Sequence, residues 1–200
     1  MKTLLLPLCV VALIGCKRSD PAQAPPAAPP AAPPEARAVG DAQPQVAKAR
    51  EVFAKVGAAL SERLGAAVQE GGAPKAIEVC KAEAATLTAR AIEGTGIRAG
   101  RTSHKLRSQA NAPAEWMRPI VAEGAGRKAG DVGVRTVDLG DRVGVMAPIP
   151  TGGLCVACHG DDQAVSVETR AALAAAYPAD EARGFGEGDL RGWFWAEVPK

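Results

Sequence analysis

Residues able to bind a metal are scarce in this chain: two histidines, three methionines and five cysteines among 200 residues. That scarcity excludes a structural zinc centre, which needs four ligands in tetrahedral array. Cys158 and His159 are consecutive and do not easily reach one zinc ion, and no second ligand pair exists elsewhere. Charge of one sign is lacking as well. A formal net charge of +2 is too balanced to indicate nucleic acid or a strongly acidic surface as partner. There is no internal repeat and no apolar run beyond the first fifteen residues long enough to suggest a membrane span, and no kinase or other output region is expected to follow the domain.

What is present is Cys155-Val156-Ala157-Cys158-His159, the spacing of a c-type haem attachment site. Two thiols three residues apart can add to the two vinyl groups of one porphyrin, and the adjacent imidazole is then carried under the ring to the iron. A thioredoxin-like redox pair uses the same C-x-x-C spacing but has no use for a histidine in the next position. A structural disulfide across two residues would be strained. One covalent haem c is therefore expected, held by Cys155, Cys158 and His159, with His159 as the first axial ligand.

The N-terminus agrees with that chemistry, because haem c is attached outside the cytoplasm. Lys2 precedes an apolar run from Leu4 to Ile14, the pattern of a secretory signal and too short for a membrane span. It ends Leu13-Ile14-Gly15-Cys16, which resembles a bacterial lipobox. Residues 1–15 are expected to be a lipoprotein signal peptide and Cys16 the lipidated N-terminus, a membrane anchor made stable by more than one acyl chain. Lys17, where an aspartate would mark inner-membrane retention in enteric bacteria, leans towards the outer membrane. The expected location is the bacterial cell envelope, facing the periplasm.

Residues 16–44 read as that lipidated cysteine and a tether. Eight of the sixteen prolines lie between Pro21 and Pro44, in an Ala-Pro pattern suited to polyproline II. At about 3.1 Å per residue the tether could reach roughly 75 Å. Residues 45–200 are the size of one domain. Within it, Val46, Ala49, Phe53, Val56, Leu60, Leu64 and Ala67 recur at helical steps. Gly71-Gly72 breaks that helix, and Pro74 opens a second, whose stripe is Ile77, Cys80, Ala84, Leu87 and Ala91. A short strand is expected over residues 97–102, and a short helix over 114–123 in which Pro119 implies a kink or early stop. A hairpin should turn at Gly140-Asp141 between strands 132–137 and 142–147. A helix over 166–176 and a closing strand over 190–198, with Trp193 and Trp195 on one face as packing residues, complete an α+β fold with a mainly antiparallel sheet and N-terminal helices.

The residues alone leave the second axial ligand open between His104, Met117, Met146 and Cys80. A cysteine on an apolar helix stripe is commonly a small core residue. His104 lies in a basic cluster with Arg98, Arg101, Lys105 and Arg107, better suited to haem propionates or solvent than to iron. Met117 and Met146 read as packing residues. Arg101, Arg107 and Arg142 are the candidate propionate partners.

Several motifs taken together resemble one family. They are Ala76-Ile77-Glu78-Val79-Cys80, Gly100-Arg101-Thr102-Ser103-His104-Lys105-Leu106-Arg107, and Asn111-Ala112-Pro113-Ala114-Glu115-Trp116. Pro148-Ile149, Cys155-Val156-Ala157-Cys158-His159-Gly160 and Gly186-Glu187-Gly188-Asp189-Leu190-Arg191-Gly192 follow in order. The chain is similar over most of residues 45–198 to a bacterial family of extracytoplasmic c-type haem domains, formerly of unknown function, found alone or as the input of sensor kinases. The resemblance implies a PAS-like α+β fold with one covalent haem, and axial ligation by the attachment-motif histidine and a cysteine of the early helix, here His159 and Cys80. It departs after Arg107, where Ser108-Gln109-Ala110 replaces an Asn-Pro run.

The function expected from this reading is redox or small-ligand sensing by an envelope-anchored monohaem c-type protein. The alternative is an electron-transfer cytochrome that keeps both axial bonds. A peroxidase-like enzyme would need an open iron face and a distal acid/base group, which only His104 could supply from within a basic loop, so no enzymatic activity is expected. The partner is a redox or signalling protein of the envelope, with the membrane reached through the lipid anchor and no role for nucleic acid.

Overall fold

A computed structural model describes residues 37–38 and 44–200. The signal peptide, Cys16 and most of the tether lie outside the described residues. The first helix, α1 (Pro44–Ile92), is two helices in one span, because Gly71 and Gly72 leave helical geometry. Gly72 has a φ of +68°, a conformation glycine adopts without steric cost. Pro74 then falls in the first turn of the second arm, where a missing N–H goes unnoticed. The arms, residues 44–70 and 73–92, run antiparallel. Arg63 Nε donates to Glu83 Oε2 at 3.0 Å across the hairpin, and Ala67 meets Ala76 and Val79 beside the turn.

Five strands form one antiparallel sheet: β1 (Arg37–Ala38), β2 (Arg98–Thr102), β3 (Arg135–Asp138), β4 (Arg142–Pro150) and β5 (Leu190–Pro199), in the order β1-β3-β4-β5-β2. The α+β, PAS-like architecture implied by the sequence is thus the one observed. Alternation along β5 assigns its two faces. Ala196 and Val198, with Phe194 beside them, join Val145 of β4 under Val46, Ala49, Val52, Phe53 and Val56 of α1, where the Phe53 and Phe194 rings stack at 5.5 Å. Trp193, with Trp195 beside it, faces the other side, among Met117, Ile120, Val137 and Met146. Among the described residues no helix is long and apolar enough to cross a membrane.

Three differences from the sequence reading have local causes. Pro119 neither kinks nor stops a helix; it sits at the N-terminus of α2 (Arg118–Gly124), after a 3-10 turn at Glu115–Met117. The hairpin's first arm starts at Arg135 rather than Val132, because Val132 packs into the core beneath α2 instead of joining the sheet. The second arm runs on to Pro150. Both prolines are tolerated there because beyond Met146 β4 pairs only with β5, leaving its other edge without a ladder to interrupt.

The end of β4 delivers the chain into α3 (Gly153–His159), and α4 (Val167–Ala176) follows with Ser166 capping it through a bond from Thr169 N. Leu173 and Val165 seat this region on Ile77 of the second arm of α1. The chain then passes back along α3 before entering β5. At that entry Gly192 lies so close to β2 that a Cβ would stand 2.4 Å from the Thr102 carbonyl oxygen. Gly192→Ala is expected to cost about 1–3 kcal/mol, the range of overpacking a closed core, measured as a lower urea midpoint with an unchanged slope.

Candidate functional site

One turn of α3 places Cys155 and Cys158 together, with His159 as the last residue of the helix. The helix stops there because Gly160 closes it: its N–H donates to Val156 O at 2.8 Å, and a Cβ on it would lie 2.6 Å from that same oxygen. Both thiols are half-buried. Burial raises the Cys158 pKa, an effect Arg107 opposes and Cys80 and Cys155 reinforce. Cys80, from the second arm of α1, therefore lies within electrostatic reach of α3. Its own pKa is raised by burial and drawn back by Arg101 and Arg107. Cys80 lines a shallow, mostly apolar cleft with Leu60, Arg63, Leu64, Val79, Ala84 and Leu87. That cleft leaves Leu64 37% exposed, so the helical stripe of the first arm is not closed over at its far end.

The segment from Asp180 to Phe185 brackets the C-x-x-C-H motif. Gly184 N donates to Gly160 O and Phe185 N to His159 O, each at 2.9 Å, while Glu181 N donates to Leu106 O at 2.8 Å. Arg107 ties the bracket to the motif. Its Nε donates to both Asp180 carboxylate oxygens at 3.2 Å, and its Nη2 donates to the carbonyls of Cys158 and Ala182. Its Nη1 stands 3.4 Å from His159 Nε2. The pair is largely buried, with the Arg107 side chain 14% and the Asp180 side chain 4% exposed.

Around this bracket, positive charge exceeds negative. Arg191 of β5 lies with its Nε 3.1 Å from His159 Nδ1, its Nη1 donating to Ser103 Oγ at 3.2 Å. Burial and the neighbouring Arg107 and Arg101 depress the Arg191 pKa to about 10. Arg191 and Lys105 both pack over the Phe185 ring, at 5.2 Å, and His104 and His159 meet the same ring edge-on. His104 Nδ1 is buried and without a hydrogen-bond partner. Burial, then Lys105 and Arg191, lower the His104 pKa.

The sequence candidates therefore separate. Cys155, Cys158, His159, Cys80, Arg101, Arg107 and His104 gather at one end of the sheet. Met117 and Met146 are buried in the core under α2. Arg142 is a correction: it donates to the carbonyls of Gly96 and Glu197 at the opposite end of β4, away from the cysteines. Arg191, Asp180 and Phe185 were not picked out from sequence. Arg191 stands inside the Gly-Asp-Leu-Arg-Gly motif, which was a signal; Asp180 and Phe185 sit in a segment with no periodicity. Among the described residues no group of three or more His, Cys, Asp or Glu side chains could hold a metal ion alone.

Comparison with known proteins gives two matches. The family model described as Tll0287-like matches residues 36–199. The crystal structure of the cyanobacterial haem protein Tll0287 superposes with a TM-score of 0.59 at 20% sequence identity, covering 80% of this chain and 98% of that one. No curated protein matches.

One consequence of the site's electrostatics concerns acid stability. Burial, with Arg191 and Arg107 beside it, presses the His159 pKa down to about 2, against about 6.5 in an unfolded chain. Below that unfolded value the unfolded state takes up a proton the folded state refuses. The contribution is thus fully present above about pH 6.5 and is lost as pH falls towards 2, at up to about 1.4 kcal/mol per pH unit. Urea denaturation at stepped pH of the chain made without haem-attachment machinery should show this slope, and His159→Gln should flatten it.

Proposed function

Because this chain belongs to the Tll0287-like family, we propose that it is a monohaem c-type protein of the bacterial envelope that senses redox state or a small ligand, passing the change to a partner protein. The observation that carries the reading is the convergence on one site of a C-x-x-C-H helix, a third thiol and an excess of buried cationic charge.

The residues present fit a haem. Cys155 and Cys158 would hold the porphyrin through thioether bonds. His159, kept neutral by burial, offers a ring nitrogen to the iron. Cys80 would offer its thiolate to the iron as a second protein ligand. A thiolate there is costly in an apolar cleft unless its charge is compensated; Arg101 and Arg107 already favour the charged form. Arg101 and Arg191 have buried charge to spare, and His104 Nδ1 is an orphaned buried atom beside them, an arrangement suited to carboxylates such as the propionates. Arg107 is expected in the same role, with part of its guanidinium committed to Asp180. When bound, the haem supplies a one-electron couple and an iron that can accept a diatomic ligand.

The chain's own part in sensing would fall to Cys80: as a thiolate it would favour ferric over ferrous iron, and it sits on a helix whose far arm packs across the sheet. A ligand change at that position biases the hairpin. No catalytic turnover is assigned. Cys16, as a lipidated anchor, would keep the domain at the membrane.

Carbon monoxide added to the dithionite-reduced protein, made with haem-attachment machinery, tests the reading. A shifted Soret band is expected, since sensing requires Cys80 to release the iron. A c-type spectrum unchanged by carbon monoxide would reject ligand exchange and leave electron transfer as the function. Cys80→Ser should raise the midpoint potential or open a coordination position in the ferric protein; an unchanged spectrum and potential would remove Cys80 from the iron.

A further inference from the structure

At the end of the sheet far from the cysteines a cleft of about 280 Å³ opens between the first arm of α1 and β5. Lys48, Glu51 and Lys55 line it from the helix and Lys200 from the strand side, over a floor that includes Val52 and Val198. Glu51 stands three residues after Lys48 and four before Lys55, the spacings at which helix neighbours pair. Among the described residues none of the three forms an ion pair, and all are exposed. Lys200 differs, its Nζ lying 2.6 Å from Asp138 Oδ1. Two ammonium groups therefore face the cleft with a single carboxylate between them. The floor beneath is closed, since Val52 and Val198 are buried. The volume falls just below the roughly 300–1,000 Å³ of pockets that enclose whole drug-sized ligands. It suits the anionic head of a larger molecule.

The register of β1 shows which end of the domain the N-terminal segment joins. Arg37 lies opposite Thr136 and Ala38 opposite Arg135. In this antiparallel pair the chain therefore comes into β1 from the Asp138 end of β3. Asp138 is the residue that holds Lys200. After β1, α1 begins at Pro44, four residues before Lys48. The cleft and the entry of the chain thus share one end of the sheet. Pro199 pairs there with Arg142, at the opposite end of β4 from the C-x-x-C-H helix.

We infer that this cleft seats the phosphate headgroup of an anionic membrane lipid against Lys48 and Lys55. The domain then rests on the membrane by the end its tether enters and turns the C-x-x-C-H end away, towards a partner. This rests on the reading that the chain is held at the membrane through Cys16. A lipid is favoured over a free anion because a tethered domain meets the surface at a high effective concentration, so a weak site suffices. Each lysine at an anionic surface strengthens binding by about fivefold. That gain is confined to groups within a Debye length of the lipid, which selects the cleft lysines over those elsewhere on the domain.

The test uses the chain from Lys17 to Lys200, without lipid and made with haem-attachment machinery. Its partition onto phosphatidylcholine vesicles, with and without about one-third phosphatidylglycerol, is measured at low salt. Binding is expected only with phosphatidylglycerol. Lys48→Gln and Lys55→Gln should each weaken it about fivefold, and together about 25-fold. Lys75→Gln, near the far tip of the α1 hairpin, should change nothing. Lysine acetylation read by mass spectrometry gives the second measurement. The vesicles should protect Lys48 and Lys55 and leave Lys75 reactive. Equal protection by inorganic phosphate at matched ionic strength would make this a free-anion site and overturn the lipid assignment. No binding to phosphatidylglycerol, or binding undiminished in the double variant, would overturn it as well. If Cys16 proves to carry no acyl chains, the anchor fails, while both measurements still decide the cleft because neither uses lipidated protein.

Discussion

An uncharged imidazole surrounded by arginines is the arrangement on which the rest of this site depends. Arg107 and Arg191 both lie within hydrogen-bonding range of the His159 ring, and Arg101 adds to the same field. A protonated His159 would add a fourth positive charge to a space holding one buried carboxylate, Asp180. Burial and repulsion together keep the ring neutral across the physiological range. The neutrality of His159 and the surplus of cations are therefore one feature. Together they make a place for a ligand that wants a nitrogen lone pair at its centre and positive charge at its carboxylates.

The fold supplies that field from parts far apart in sequence. β2 contributes Arg101 and leads into the loop with Arg107, and β5 contributes Arg191. These two strands are neighbours because the sheet order places the last strand between β4 and β2. Gly192 lets β5 approach β2 closely at that point, which is why a glycine follows the arginine. The α1 hairpin carries Cys80 to the same end, held over the sheet by Phe53 on Phe194 and against α4 by Ile77. Each wall of the site is thus also a core contact, and a shift at the iron would be felt in the packing of the hairpin on the sheet.

Much of this could be read from the chain beforehand. The Gly71-Gly72 break, the paired helical stripes, the Gly140-Asp141 turn and the closing strand all carry local signals, and the structure has each of them. The C-x-x-C-H motif stands out because its spacing is fixed, and the structure carries it on one helical turn. Arg142 misled because an arginine on a hairpin looks the same in sequence whether it faces a ligand or, as here, caps the carbonyls of Gly96 and Glu197. Asp180, Ala182 and Phe185 were invisible for a different reason. They act through backbone carbonyls, a buried ion pair and a ring shared by two histidines, none of which leaves a periodic trace. Pro119 shows a third case, in which the same residue can end a helix or begin one and only the packing of Met117 and Ile120 decides.

The most direct test of the account is the intact mass of the full chain produced with haem-attachment machinery and denatured in acid and organic solvent. The account predicts one species heavier than the polypeptide by a single haem, with the added mass lost when Cys155 and Cys158 are both replaced by alanine. A chain at its polypeptide mass, with the haem extracted into solvent or never bound, would contradict it.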